Sequence, residues 1–247
     1  MAHVPDYSPF AESYSASRPA YPAELFDWLA SVAPGRDVAW DTATGNGQAA
    51  LGLAAHFDRV IGTDTSAAQI AHATAHPRVE YRVGRAEDSG LPSGSVDLIV
   101  AASALHWFDL PAFYEEARRV ARPGCVLAAW SYHVAHAEPP LGDALWRFYR
   151  DVVQSYFSPG ARLVDDRYEG IVLPGRALES PPFVLSVRWT AAEILRFVRT
   201  WSGVQAYIET NGVDPVERLA PEIAEICGYP GSRHEVRWPL YLRASRL

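Results

Sequence analysis

The stretch VAWDTATGNGQ, residues 38–48, decides how this chain is read: a short apolar run ends in an acid and passes into a loop of small residues that opens a helix. Asp41 stands where a buried strand would emerge. Gly45 and Gly47 let the following backbone approach a ligand that larger side chains would exclude. A second apolar run, 59–63, ends in another acid, Asp64, twenty-three residues after Asp41. Two acids at the tips of successive strands suit a nucleoside: one lies near the ligand's charged tail and the other accepts hydrogen bonds from ribose hydroxyls.

Outward from this stretch, short apolar runs alternate with amphipathic ones, the pattern of a parallel sheet wound with helices. Residues 22–32 read as a helix with Pro22 in its first turn, 46–56 as a second helix, and 66–74 as a third that Ser66 can cap. Strands are expected at 38–40, 59–63, 79–83 and 96–102, the last apolar except for Asp97 and so buried on both faces. A helix at 111–121 and a turn at 122–124 lead to a fifth strand, 125–130. After Trp130 strand alternation stops. Residues 131–182 read as a cap, amphipathic over 141–156 and loop-rich over 162–182. Strand character resumes at 183–189, helices follow at 191–209 and 215–227, and 235–244 closes the chain as a strand, with Pro239 marking an edge or a bulge.

The 247 residues fit one α/β domain with a modest cap, and 49% apolar against 21% charged residues is ordinary globular composition. A net charge of −7 with no arginine cluster argues against nucleic acid. No apolar stretch reaches the roughly 20 residues of a membrane span, and the N-terminal residues do not resemble a signal peptide, so the cytoplasm is expected. Cys125 and Cys227 are too few and too far apart for a zinc site or a disulfide framework, and no metal is expected. The chain contains no lysine, which removes Schiff-base chemistry and the lysine of a phosphate-binding loop.

DTATGNGQ, the strand ending in Asp64, GRAEDSGLP, VDLIVAASALHWFD and the helix ending RRVARPG together resemble class I S-adenosylmethionine-dependent methyltransferases of the type 11 domain. Within that superfamily YSASRPAYP, TWSGV and WPLYLR resemble the trans-aconitate methyltransferase-like group of small-molecule enzymes. The resemblance implies a Rossmann-like three-layer sandwich. Its seven-stranded sheet would be mostly parallel with a reversed last strand, consistent with a closing pair at 183–189 and 235–244. It also implies one domain over 1–247, with an N-terminal lid at 1–22 and a substrate cap at about 131–182. S-adenosylmethionine is the implied cofactor. Its implied contacts are Tyr14 and Arg18 in the lid, Asp41, Ala43, Thr44, Gly45, Gly47 and Gln48 in the loop, and Asp64 and Thr65 after the second strand. Ala86 and Glu87 align with the adenine-contacting segment, and Ser103 and Ala104 follow the fourth strand. The family pattern has glycine where this chain has Ala43, so the loop must tolerate a Cβ there.

His106 lies just past the fourth strand, where α/β sheets build their sites, and either faces the cofactor or acceptor or supports Trp107. A sulfonium methyl is already activated, so a general base is needed only where the acceptor carries a proton; His106 is then the first candidate and His133 the second. A carboxylate acceptor needs none, and Arg147, Arg150, Arg162, Arg167 and Arg176 of the cap offer bidentate recognition instead. The acceptor is expected to be a small molecule, methylated at a carboxylate or hydroxyl oxygen; oligomeric state is open. Two other classes share these features. A nicotinamide-dependent oxidoreductase also needs a glycine turn and a ribose acid, although an acid directly after strand one would repel a pyrophosphate. A non-catalytic S-adenosylmethionine-binding protein is the other.

Overall fold

The computed structural model describes residues 18–247. Strands β1 (Val38–Thr42), β2 (Arg59–Asp64), β3 (Val79–Val83), β4 (Val96–Ala102) and β5 (Ala121–Ser131) lie parallel, in the order β3-β2-β1-β4-β5. Helices α1 (Ala23–Val32), α2 (Gln48–Leu53), α3 (Ala67–Ala71) and α4 (Leu110–Val120) flank them. The side chains divide by parity, as a pleated strand requires. Leu98, Val100, Val126, Ala128 and Trp130 enter one core with α1 and α2. Ile99, Ala101, Cys125, Leu127 and Ala129 enter the other with Phe113 and Ala117 of α4. Successive strands run outward from β1 in opposite directions, so the crevice between the carboxyl ends of β1 and β4 is the switch point where such sheets bind ligands.

Asp97, the one charge in β4, is buried because its carboxylate accepts from the backbone N–H groups of Asp37 and Val38 and from Arg122. Residues 122–125 loop out of the ladder between the Val96–Ala121 and Leu98–Val126 pairs. The expected Arg-Pro-Gly turn is therefore a bulge inside a longer strand, with Gly124 at φ +80°.

The second half follows the sequence less closely. After Ser131 come α5 (Leu141–Phe148), a π turn (Tyr149–Val153), two 3₁₀ turns, the short α6 (Arg162–Asp165), and β6 (Arg176–Leu178). Then β7 (Val184–Trp189), α7 (Ala191–Arg199), α8 (Ser202–Asn211), α9 (Val216–Cys227), β8 (His234–Pro239) and β9 (Tyr241–Arg246) complete the chain. The expected closing strand is thus two strands that part at Pro239–Leu240. β8 pairs with β7 as a separate antiparallel ribbon, with Arg237 also bridging His136 on its other side, while β9 joins the main sheet antiparallel to β5. β6, inside the segment read as loop, completes seven strands on the far side of β9. The helix expected over 191–209 breaks at Thr200–Trp201, where Trp201 is extended and buried. Tyr149, Phe197, Trp201 and Trp238 of this half share the core of α1 and α2, so the cap packs directly on the sheet's first face.

Candidate active site

The loop between β1 and α2 holds its shape through hydrogen bonds from neighbouring strands. Thr44 N donates to Thr63 O of β2, and Gly45 N donates to Asp64 Oδ2, each at 2.9 Å. Asp64 Oδ1 accepts from Ser66 N at 2.8 Å, so this half-buried carboxylate joins the loop to the start of α3 and keeps lone pairs for a ligand. Burial raises its pKa, against the Ser66 and Gly45 amides, which lower it.

Asp41 sits elsewhere. It has no exposed surface; Oδ2 accepts from the Thr44 hydroxyl at 2.5 Å and Oδ1 makes no hydrogen bond of ordinary geometry. Burial pushes the carboxyl up to about 7, with the Thr44 hydroxyl and the Ala50 amide pulling the other way and Asp64 adding repulsion. Asp41 therefore underpins the loop from within, where the sequence placed it beside the ligand's tail.

The two glycines of the loop also differ. A Cβ on Gly45, at φ +56°, would point into space where its nearest neighbour is Gln69 Oε1 at 4.0 Å. A Cβ on Gly47, at φ +91°, would fall 2.0 Å from the Tyr81 hydroxyl. Gly47 is thus needed by the ring of Tyr81, and only Gly45 leaves room for a ligand. Ala43 takes the left-handed conformation, φ +51°, that the family's glycine adopts freely. Gly47→Ala is expected to cost about 2 kcal/mol, from a left-handed Cβ and the displaced ring. Ala43→Gly is expected to gain no more than about 1 kcal/mol, because relief of strain is partly offset by the unfolded chain's added freedom. Urea denaturation of both variants decides; equal small effects would remove the distinction.

Gln69 escaped the sequence reading. It is buried on α3, its amide oxygen makes no hydrogen bond, and it faces the open side of Gly45. The available signal was a lone amide among the alanines and isoleucine of that helix. A half-buried carboxylate, an unpartnered buried amide oxygen and open space at Gly45 fit a ligand with hydroxyl or ammonium donors.

The remaining expected contacts are distributed around this crevice. Tyr14 lies outside the described residues. Gln48 Nε2 donates to Pro19 O at 2.7 Å, tying the loop to the N-terminal segment, and Thr65 is exposed. Ala86 is buried, while Glu87 accepts from the Asp109 amide at the start of α4 at 3.0 Å and pairs with Arg85. Ser103, at φ +54°, donates its amide to Trp130 O at 2.7 Å, and Ala104 is buried behind it.

Beyond Ser103 opens a cavity of ≈ 120 Å³ under the cap. Its walls carry the rings of Trp107, Tyr132, Tyr149, Phe157, Phe197 and Trp201 among polar side chains such as Ser103, Ser131 and Ser202. Both candidate histidines line it. His106 stands on a 3₁₀ turn (Leu105–Trp107); its Nδ1 lies 3.2 Å from the Tyr168 hydroxyl, and burial brings its pKa down to about 4, so it is neutral. His133 Nε2 lies 2.6 Å from Asp165 Oδ1, which also accepts from the Tyr149 hydroxyl at 2.5 Å. Arg18 lines the same cavity, bonded to the Tyr132 hydroxyl at 2.6 Å and lying over the rings of Tyr132 and Phe197. None of the five cap arginines lines it. Arg147 pairs with Glu222, Arg150 with Asp151, Arg167 lies over Tyr241, and Arg162 and Arg176 are exposed. Sequence could not show this, because a short helix and irregular loops set the direction of each side chain.

Residues 40–129, the span from β1 to β5, match a family profile described as a methyltransferase domain. A Dictyostelium discoideum protein named as a methyltransferase is 34% identical over 231 residues, covering 89% of this chain and 83% of the relative. The chain belongs to the class I S-adenosylmethionine-dependent methyltransferases. A Saccharomyces cerevisiae protein named as an S-adenosylmethionine-dependent methyltransferase is 24% identical and covers 87% of each chain. A solved structure from Anaeromyxobacter dehalogenans, assigned as a type II methyltransferase, superposes with a TM-score of 0.86 at 43% identity, over 93% of this chain and 97% of that one. The cofactor of this methyltransferase is S-adenosylmethionine, and the acceptors around Gly45, the Asp64 carboxylate and Gln69 Oε1, fit its hydroxyls and ammonium group. Among the described residues no helix is long and apolar enough to cross a membrane, and no group of three or more His, Cys, Asp or Glu is placed to hold a metal.

Proposed function

We propose that this methyltransferase acts on the oxygen of a small molecule held in the aromatic cavity under the cap. The observation that carries this is the cavity itself. Its ≈ 120 Å³ lies at the carboxyl ends of β4 and β5 beside Ser103, and compares with engineered cavities of about 150 Å³ that accept one benzene ring. At one-ring size the pocket suits a small molecule better than a strand or chain laid along it.

S-adenosylmethionine supplies a methyl group on a positively charged sulfur, transferred by in-line displacement. In this reading Asp64 and Gln69 hold the ribose side, the Gly45 backbone lies along the ligand, and Asp41 with Thr44 fixes the loop. Ala86 and the Glu87 backbone face the base, and Ser103 and Ala104 form the seam between cofactor and acceptor. The protein's share of the acceleration is positioning and exclusion of water by the aromatic walls.

The test is a cell extract incubated with the enzyme and methyl-labelled S-adenosylmethionine, then separated into small-molecule, protein and nucleic-acid fractions. Label is expected in the small-molecule fraction; label confined to a polymer fraction would refute the reading. His106, neutral and half-buried, acts here as a wall and hydrogen-bonding group. His106→Asn is expected to leave cofactor affinity within about two-fold and the pH dependence of turnover between pH 6 and 9 unchanged, since a group titrating near 4 does not change charge there. A shifted pH limb in that range would restore His106 as the base.

A further inference from the structure

One short segment treats the two cavity histidines differently. Asp165 closes α6 and reaches His133; three residues on, Tyr168 reaches His106. In this segment Arg167 and Tyr168 adopt left-handed backbone, φ +53° and +57°, a conformation that costs about 1 kcal/mol or more for each side-chain-bearing residue. That turn sets both partners facing inward. His106 receives a buried phenol, which cannot balance a positive charge. His133 receives a carboxylate, which can, and the carboxylate is itself held by Tyr149 from the π turn. The Nε2–Asp165 contact fixes Nε2 as the protonated nitrogen and leaves the lone pair on Nδ1.

We propose that His133, oriented by Asp165 and Tyr149, is the general base of this methyltransferase, and that its acceptor is the hydroxyl of a one-ring aromatic molecule, a phenol or its heterocyclic equivalent. This rests on the methyl-transfer reading above. As an oxygen lone pair bonds to the methyl carbon, the hydroxyl proton passes to His133 Nδ1. The carbon–sulfur bond breaks with its electron pair left on sulfur, which becomes neutral, and the imidazolium is balanced by Asp165. The proton then has a short route to water, because Asp165 also borders an outer recess with Asp166, Arg167, Glu169 and Gly170. A carboxylate acceptor has no proton to give and would face Asp165. Among the described residues the one arginine lining the cavity is Arg18, whose Nη1 donates to the Tyr132 hydroxyl. The titratable and charged groups around His133 are Asp165, Tyr149 and Tyr132 beside it and Arg18 and His106 in the same cavity wall.

The test uses para-substituted phenols of falling pKa, down to 4-nitrophenol, together with the matching benzoates, and compares wild type with His133→Gln and Asp165→Asn. Wild type is expected to methylate phenols and leave benzoates unmodified. His133→Gln is expected to lose on the order of 10²- to 10⁴-fold in kcat with the least acidic phenols and to regain most of it with 4-nitrophenol, which ionises unaided. Asp165→Asn should show the same trend, less steeply. Calorimetry should give all three proteins the same affinity for S-adenosylmethionine within two-fold. Equal loss across the phenol series would mark His133 as structural and overturn the proposal. So would preference for benzoates, or no phenol methylated by a wild type that binds S-adenosylmethionine. Failure of the wild type to bind S-adenosylmethionine would instead overturn the methyl-transfer reading beneath it.

Discussion

Asp41→Asn is expected to keep its stability between pH 5 and pH 8 where the wild type loses about 3 kcal/mol. The folded carboxyl titrates near 7 and the unfolded one near 3.8. Between those values the native protein holds a proton that the unfolded chain has shed. Unfolding then releases a proton, and stability falls as pH rises through that window. Each pH unit is worth about 1.4 kcal/mol, so the upper bound on this loss is about 4 kcal/mol. Asparagine fills the same space, still accepts from the Thr44 hydroxyl through its carbonyl, and carries no charge to desolvate. Burial also makes His106 titrate below its ordinary value, which lowers stability on the acid side in both proteins alike and cancels in their difference. Urea denaturation at pH 5, 6, 7 and 8 gives the answer; parallel curves for the two proteins would show that the carboxyl is solvated or compensated. The result bears on the cofactor, because the acid at the foot of the loop holds the loop through Thr44, so its charge state and the loop's shape change together.

The parallel half of the sheet was legible because strands buried on both faces are nearly continuous apolar runs, and in this chain two of them end in Asp41 and Asp64. The same logic failed where a strand is too short or too exposed to carry a pattern. β6 is three residues, Arg176, Ala177 and Leu178, and exists because β9 offers it an edge. Pro239 was read correctly as an interruption, since it lacks the N–H a ladder needs, but not as the corner at which the chain passes from one sheet to another. The α7–α8 break left no trace, because Thr200 satisfies the helix end with a hydroxyl bond to Phe197 O and neither a glycine nor a proline marks the corner at Thr200–Trp201. In the site, residue types at strand tips were readable and their exposure was not. Whether Asp41 or Asp64 meets solvent depends on Thr44, Ser66 and the Tyr81 ring, which come from separate elements. The pairing of His133 with Asp165 crosses 32 residues and depends on a strained turn, so no periodicity announces it.

Asp64→Ala is expected to weaken S-adenosylmethionine binding about 100-fold, with global stability reduced by no more than about 1–2 kcal/mol. Two separable losses lead to that figure. The first is direct: a carboxylate accepting hydrogen bonds from ribose hydroxyls contributes about 1.5–3 kcal/mol, as hydrogen bonds to charged groups do. The second is preorganisation, because Asp64 Oδ2 holds the Gly45 amide and Oδ1 holds the Ser66 amide, so its removal frees both the loop and the start of α3. Freed amides regain water at this half-exposed position, which keeps the stability cost small. Asp64→Asn separates the two parts. Its carbonyl oxygen can keep one backbone amide while its NH₂ cannot accept from a hydroxyl, so it should lose nearly as much affinity as alanine and less stability. Adenosine, which has the ribose but not the amino-acid tail, should show the same ratio between wild type and variant by calorimetry. An affinity ratio near one for adenosine with a large ratio for S-adenosylmethionine would move Asp64 from the ribose to the charged tail. Unchanged affinity for both would place the nucleoside elsewhere on the sheet.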